Sequence, residues 1–343
     1  MKLSFFSVMR AQLKPKAPIV TTDLSGKTVV VTGANIGIGF EATKHIAEMN
    51  PGRLILVCRN EVKGNAAIAK IEEATGYKKS ELWLLDLSRF SSVLEFVDKF
   101  EKDGGRLDIL LANAGITGSK YETTSDGWES TLQVNDLATF LLCILLLPRL
   151  VHTAREFSTT PRLVVVASDI HYFASVDKAA LDSPKVFETL NTPESYSSMN
   201  AVMNRYAVSK LFDVFFVRAL NAHLPPSTPV LVTAVNPGLC ATELGQKEPE
   251  GFIASCVRYV IFRTFAHTAE EGSRELVWAC VGGQEREDDL RGAFVWHQQI
   301  TEVSDYVLSP EGAALQERLW NELLEILGGV SPKVPAIVGE YLA

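Results

Sequence analysis

Tyr206 and Lys210 stand four positions apart in Tyr206-Ala207-Val208-Ser209-Lys210, which opens a long apolar stretch continuing through Leu211-Phe212-Asp213-Val214-Phe215-Phe216-Val217. Residues i and i+4 share one face of a helix. An ammonium beside a phenol favours the phenolate and would lower a tyrosine pKa that is ordinarily about 10. Tyr206 is therefore a candidate proton donor to a carbonyl oxygen. Of the eight tyrosines only Tyr259 has another base at i+4, Arg263, in a different context. Taken alone, such a pair is more often packing than chemistry, so its weight depends on what accompanies it.

A second constellation is Val29-Val30-Val31-Thr32-Gly33-Ala34-Asn35-Ile36-Gly37-Ile38-Gly39. The β-branched run reads as a buried strand and the glycines as a tight turn opening a helix. That turn aims unpaired backbone N–H groups and the positive end of the helix dipole at one spot, where a phosphate can sit. A dinucleotide is the expected ligand. Arg59 lies twenty positions beyond Gly39, at the end of the apolar run Leu54-Ile55-Leu56-Val57-Cys58. There a dinucleotide fold carries its ribose-reading residue, an acid for NAD or a nearby arginine for the 2′-phosphate of NADP. An arginine forks two hydrogen bonds onto a phosphate, whereas an acid repels it. The expected cofactor is NADP(H).

From Lys27 onward, apolar strands and amphipathic helices alternate, which predicts an α/β fold with a parallel sheet covered by helices on both faces. The spacing predicts helices over 37–49 and 61–75, strands over 81–85, 107–111, 162–168 and 292–296, and a capping box at Ser92 to Glu95. A final helix over 313–327 should end at Gly328-Gly329. Gly33, Arg59, Asp86, Asn113 and Ser168 would all lie at the carboxyl edge of the sheet, where such folds collect ligands. At 343 residues with 47% hydrophobic and 22% charged residues, the chain can build one large core. The net charge of −8, with no basic stripe, argues against nucleic acid as a partner. Five scattered cysteines without paired spacing read as reduced thiols, with no metal site expected. The run Leu137 to Leu147 is too short to span a bilayer and reads as a helix buried in the core or in a subunit interface. Residues 1–22, basic up to Asp23, read as a surface arm; organelle targeting and peripheral membrane contact stay open beside a cytoplasmic location.

Thr32-Gly33-x-x-x-Gly37-x-Gly39, Asp86, Asn113-Ala114-Gly115, Asn135, Ser168, Tyr206-x-x-x-Lys210 and Pro237-Gly238 follow one another as in the short-chain dehydrogenase/reductase family, which this chain resembles from about Asp23 to His297. Cys58-Arg59-Asn60, Thr268-Ala269-Glu270-Glu271-Gly272 and Arg318-Leu319-Trp320 look most similar to the retinol-dehydrogenase-type branch and its fungal secondary-metabolism relatives. The resemblance implies a Rossmann-type doubly wound sheet of about seven strands. It also implies that Tyr206 exchanges the proton, Ser168 bonds the substrate oxygen, Lys210 grips the nicotinamide ribose and Asn135 holds a relay water. Asp86 with Leu87 would meet the adenine, Asn113 to Gly115 the adenosine ribose side, Pro237-Gly238 the nicotinamide amide and Thr242 the pyrophosphate. Gly33 to Gly39, Arg59 and Asn60 complete the implied cofactor site, and dimerisation through the helices around Asn135 and Tyr206 is common in the family.

The resulting expectation is hydride transfer between NADP(H) and a carbonyl or alcohol of an apolar substrate. Double-bond reduction or dehydration in a biosynthetic pathway, and a non-catalytic dinucleotide-binding scaffold, remain alternatives. Ile36 replaces a serine usual in the family and removes one possible 2′-phosphate contact. Residues 176–203, rich in Ser, Asn and Pro, lengthen the gap between Ser168 and Tyr206 and should fold over the site entrance. Residues 239–267 should form an apolar substrate lid, 23–328 a single domain, and 329–343 a loosely attached tail. His171 reads as a core histidine more readily than as a substrate contact.

Overall fold

The computed structural model describes residues 5–118, 120–196, 199–244 and 262–342. Its eight strands are β1 (Thr28–Thr32), β2 (Arg53–Cys58), β3 (Ser80–Leu84), β4 (Ile109–Ala112), β5 (Arg162–Val166), β6 (Leu231–Val235), β7 (Phe294–Trp296) and β8 (Gln299–Ile300). They form one sheet in the order β3-β2-β1-β4-β5-β6-β7-β8. Every pairing is parallel except β7 with β8. The order reverses between β1 and β4, and the crevice beyond the strand ends at such a reversal is where doubly wound folds take their ligands. The central strands are buried along their whole length, as continuous Val/Ile/Leu runs covered on both faces must be.

The longer helices are α1 (Phe5–Gln12), α2 (Gly37–Glu48), α3 (Glu61–Thr75), α4 (Phe90–Asp103), α5 (Ala138–Phe157), α6 (Met199–His223), α7 (Ala269–Val281), α8 (Pro310–Val330) and α9 (Lys333–Tyr341). Side chains of α2, α3 and α7 cover one face of the sheet; those of α4, α5, α6 and α8 build the larger core on the other. A π-helical turn, Leu132–Leu137, leads into α5 and carries Asn135 and Asp136. The long apolar segment 132–157 is largely buried inside this core, which accounts for its hydropathy without a membrane.

Several local expectations change. Ser92 lies inside α4, behind the N-cap Arg89, and its hydroxyl accepts the Asp86 N–H at 3.0 Å, so no capping box forms with Glu95. Thr268 and Glu271 instead form a capping box in both directions. Pro148 does not end its helix: α5 runs on to Phe157, where Ser158 adopts φ 49°. Gly328 and Gly329 sit within α8, because Leu327 at 0% exposure and the packing of α9 hold the helix past them. The tail is not loose, since α9 buries Val334 and Ile337 against the core. The eighth strand follows a two-residue hairpin in which His297 and Gln298 both take positive φ, 54° and 55°. That turn normally calls for Asn-Gly or Asp-Gly, so nothing in the sequence announced it.

The N-terminal segment is no free arm either. Val8 enters the main core, and Lys16 pairs with Glu275 at 3.1 Å with both side chains 1% exposed. In the added stretch after Ser168, residues 186–190 pack on the core. Phe187 meets Phe212 edge-on at 5.3 Å, and Glu322 of α8 accepts the Val186, Phe187 and Glu188 N–H groups at 2.6, 3.1 and 3.2 Å.

Candidate active site

The glycine turn is held by the residues that follow β4. Asn113 donates from Nδ2 to the Thr32 carbonyl at 2.9 Å, while Thr32 Oγ1 accepts the Asn113 and Ala114 N–H groups at 2.9 and 3.0 Å. Gly33 and Gly37 take positive φ, 67° and 61°. At Gly39 a β-carbon would come within 2.5 Å of the Gly33 carbonyl and collide with Asn113 Nδ2. The helix begins after Ile36, which has extended φ and no side-chain cap, so the first N–H groups of α2 gain no capping side chain of their own. Thr242 stands over the turn, 3.5 Å from where a Gly37 β-carbon would sit. A cradle lined by backbone, crowded against added carbon and opened by an uncapped helix N-terminus fits the phosphates of a dinucleotide. Asn35 and Ile38 flank it half-buried, and Ile36 is 39% exposed.

Arg59 is exposed at the end of β2, close enough for its charge to act on Asp86. Burial tends to raise the Asp86 carboxyl, but the Ser88 hydroxyl and N–H, with Arg89 and Arg59, hold it below its ordinary value. Asn60 uses its side-chain oxygen to cap α3, accepting the Lys63 N–H at 2.9 Å. Leu87 is a core residue, 7% exposed.

The second half of the site is built where α6 crosses the end of β5. Lys210 Nζ donates to the Val166 carbonyl and to Asp213 Oδ2, both at 2.8 Å. Asn135 accepts the Ile116 N–H at 2.8 Å and donates to the Ile116 carbonyl at 2.9 Å and to Ser209 Oγ at 3.0 Å. Gly115 permits this approach: a β-carbon there would lie 3.3 Å from Asn135 Oδ1 and 3.9 Å from Lys210 Nζ. Ser168 follows β5, donates to Asp169 Oδ1 at 3.2 Å and accepts the Ile170 N–H at 3.2 Å. Gly238, at φ 78°, closes a turn in which Asn236 Oδ1 accepts its N–H at 2.9 Å, and the Pro237 carbonyl accepts from Lys16 at 3.3 Å. The sequence-predicted residues thus gather at one edge of the sheet, apart from Asn60, whose side chain caps α3, and Leu87, which sits in the core.

Burial pushes the Tyr206 phenol above its ordinary value, and Lys210 only partly opposes it because Asp213 and Asp169 act the other way. This reverses the expectation of a lowered phenol. Burial alone would discharge Lys210, yet Asp213 and Tyr206 keep it firmly protonated. His171 is a core residue: 1% exposed, with Nδ1 donating to the Ser168 carbonyl at 2.7 Å and its ring against Phe294.

Sequence reading missed three contributors. Gln12 and Lys16 reach the site from the N-terminus, with Gln12 Nε2 3.4 Å from Asp169 Oδ2, and nothing local signals that docking. Asp213 was visible as an acid one helical turn after Lys210 in an otherwise apolar run. Most of the expected lid, 245–261, lies outside the described residues, but its two ends are joined: Ala241 donates to the His267 carbonyl at 2.8 Å and His267 to Leu239 at 2.9 Å.

The family profile described as short chain dehydrogenase matches residues 27–175. A short chain dehydrogenase/reductase of Cryptosporiopsis sp., dmxR8, is 35% identical over 328 residues, covering 94% of this chain and 97% of the relative. Among solved structures, an uncharacterized protein from Mycobacterium paratuberculosis superimposes with TM-score 0.64 at 26% identity, over 90% of this chain and 98% of its own. A short-chain dehydrogenase from Sphingobium yanoikuyae in complex with NADPH shares the fold with TM-score 0.50 at 24% identity, over 72% of this chain and 81% of its own.

Proposed function

Because this chain belongs to the short-chain dehydrogenase/reductase family of oxidoreductases, we propose that it is an NADPH-dependent reductase of apolar ketones or aldehydes that also runs in the alcohol-oxidising direction. What supports this reading most is the Lys210 bond to the Val166 carbonyl at 2.8 Å, two residues before Ser168, with the same ammonium 5.7 Å from the Tyr206 ring. Arg59 with no acid at the end of β2 favours a 2′-phosphate over a bare ribose hydroxyl. The bound cofactor supplies or accepts the hydride at the carbonyl carbon.

The chain's own residues manage position and proton. The glycine turn and Thr242 would hold the pyrophosphate, Arg59 the 2′-phosphate, and Asp86 and Asn113 the adenosine side. Lys210 orients the nicotinamide ribose. Ser168 donates to the substrate oxygen, fixing the carbonyl beside Tyr206. In reduction the Tyr206 O–H delivers its proton to that oxygen as the hydride reaches carbon, giving the alcohol; in oxidation the phenolate takes the proton back. A phenol raised by burial is fully protonated at neutral pH, which suits the reductive direction.

The test follows absorbance of NADPH and of NADH with a panel of apolar ketones and aldehydes, for the wild type and Tyr206→Phe. Substrate-dependent NADPH consumption that falls at least about a hundredfold in the variant is expected, the size of a lost general acid. Unchanged turnover in Tyr206→Phe would remove Tyr206 from the chemistry. NADPH binding without consumption across the panel would favour the scaffold reading.

A further inference from the structure

A carboxyl group that none of these steps employs lies behind Lys210. Asp136, in the π-helical turn, is 0% exposed, and among the described residues neither of its carboxyl oxygens has a hydrogen-bond partner. The turn packs against α6, where Asp213, 1% exposed, accepts from Lys210 at 2.8 Å. The charged groups facing Asp136 are Asp213, Lys210 and Arg205 on α6 and Glu129 just before the turn; Cys143 on α5 also faces Asp213. Arg205 and Glu129 already neutralise each other at 3.7 Å, with side chains 3% and 1% exposed. Among the described residues that leaves one cation, Lys210, for two buried acids.

Two ionised carboxylates cannot share a dry site with one ammonium without a large desolvation cost. One of them must keep its proton. Asp213 holds the ammonium, so the proton belongs on Asp136, and burial followed by the Asp213 charge moves that carboxyl well above the ordinary range. We propose that Asp136 and Asp213 hold one proton between them and form a charge-setting pair behind Lys210, Asp213 being the positioning residue that pins the ammonium and Asp136 its neutral companion. Lys210 and the pair then sum to zero charge, which limits how far the lysine can acidify Tyr206. The consequence for turnover rests on the role proposed for Tyr206; the charge state itself does not.

Tyrosinate absorbance titrated against pH in the protein without cofactor tests this, each protein being compared with its Tyr206→Phe counterpart so that the difference reports Tyr206. In Asp213→Asn the ammonium loses its counter-charge, and the Tyr206 midpoint should fall by about one pH unit or more. An unmoved midpoint in Asp213→Asn overturns the proposal.

Urea unfolding of Asp136→Asn against pH reads the neutral carboxyl, whether or not Asp213→Asn folds. A carboxyl raised in the folded state favours folding fully below its unfolded pKa of about 3.9 and loses that contribution as pH rises through its folded value. Asp136→Asn should therefore gain on the wild type as pH rises from 4 to 7, by up to about tenfold in the folding equilibrium per unit. No gain overturns the proposal. Neither readout needs turnover, so a wild type that reduces nothing would refute the reductase reading and leave this result standing.

Discussion

Gly39→Ala perturbs the cofactor cradle with one methyl group. Gly39 lies buried in the first turn of α2, and the added carbon would meet Asn113 Nδ2 and come within 2.5 Å of the Gly33 carbonyl. Those are the atoms that brace the turn, since Asn113 donates to the Thr32 carbonyl at 2.9 Å and to the Gly33 carbonyl at 3.4 Å. Overpacking of this kind costs about 2 kcal/mol. Displacing the Asn113 amide adds about 1 kcal/mol for its hydrogen bond. Alanine returns about 1 kcal/mol of helix propensity. The net is about 2 kcal/mol, a shift of roughly 30-fold in the folding equilibrium. Urea unfolding without cofactor reads it, with Gly76→Ala as the control: Gly76 has φ 73° and open space around it, so only the dihedral cost of about 1 kcal/mol applies. NADPH affinity, followed by fluorescence, should drop at least about tenfold in Gly39→Ala, or 1.4 kcal/mol. A Gly39→Ala protein as stable as wild type, binding NADPH equally well, would refute the steric argument.

Arg59→Asp should weaken NADPH relative to NADH, read as the ratio of their kcat/KM values; an unchanged ratio would mean another group meets the 2′-phosphate. Lys16→Met strands Glu275 at 1% exposure and should cost about 3–5 kcal/mol, while the double variant with Glu275→Leu recovers part of it. A loss below about 0.5 kcal/mol would show that the N-terminal segment is not anchored through this pair. His171 is pushed down to about 4 by burial, so it stays neutral in the fold while the unfolded chain binds a proton below about 6.5. Its contribution is complete above about pH 6.5 and is lost as pH falls towards 4, amounting to up to about 3 kcal/mol. Urea unfolding at pH 7 and pH 5 should show that slope in the wild type and less of it in His171→Gln; equal slopes would assign the acid sensitivity elsewhere.

Much of the architecture was legible because it depends on near neighbours in sequence. Short β-branched apolar runs bounded by turn residues read as strands buried on both faces, Thr268 with Glu271 caps its own helix, and Tyr206 and Lys210 share a face through helical geometry alone. The glycine turn is equally local. The carboxyl ends of β1 to β5 and of β7 were predictable to within about two residues, which sufficed to place Gly33, Arg59, Asn113 and Ser168 along one edge, whereas β6 and β8 were not foreseen.

Other features depend on groups far apart in the chain. Lys16 and Glu275 are 259 positions apart, and only folding shows that they bury one another. The β7–β8 turn forms with residues that do not favour it, because tertiary packing outweighs a local dihedral cost of about 1 kcal/mol for each of His297 and Gln298. The direction of the Tyr206 shift is of the same kind. Sequence places the ammonium one helical turn away, which lowers a phenol; the surrounding protein removes the water, and Asp213 takes up much of the lysine's charge, which together raise it. Spacing along a helix determines which groups meet. Desolvation and competing charges belong to the whole fold, and they decide what each group does at a given pH.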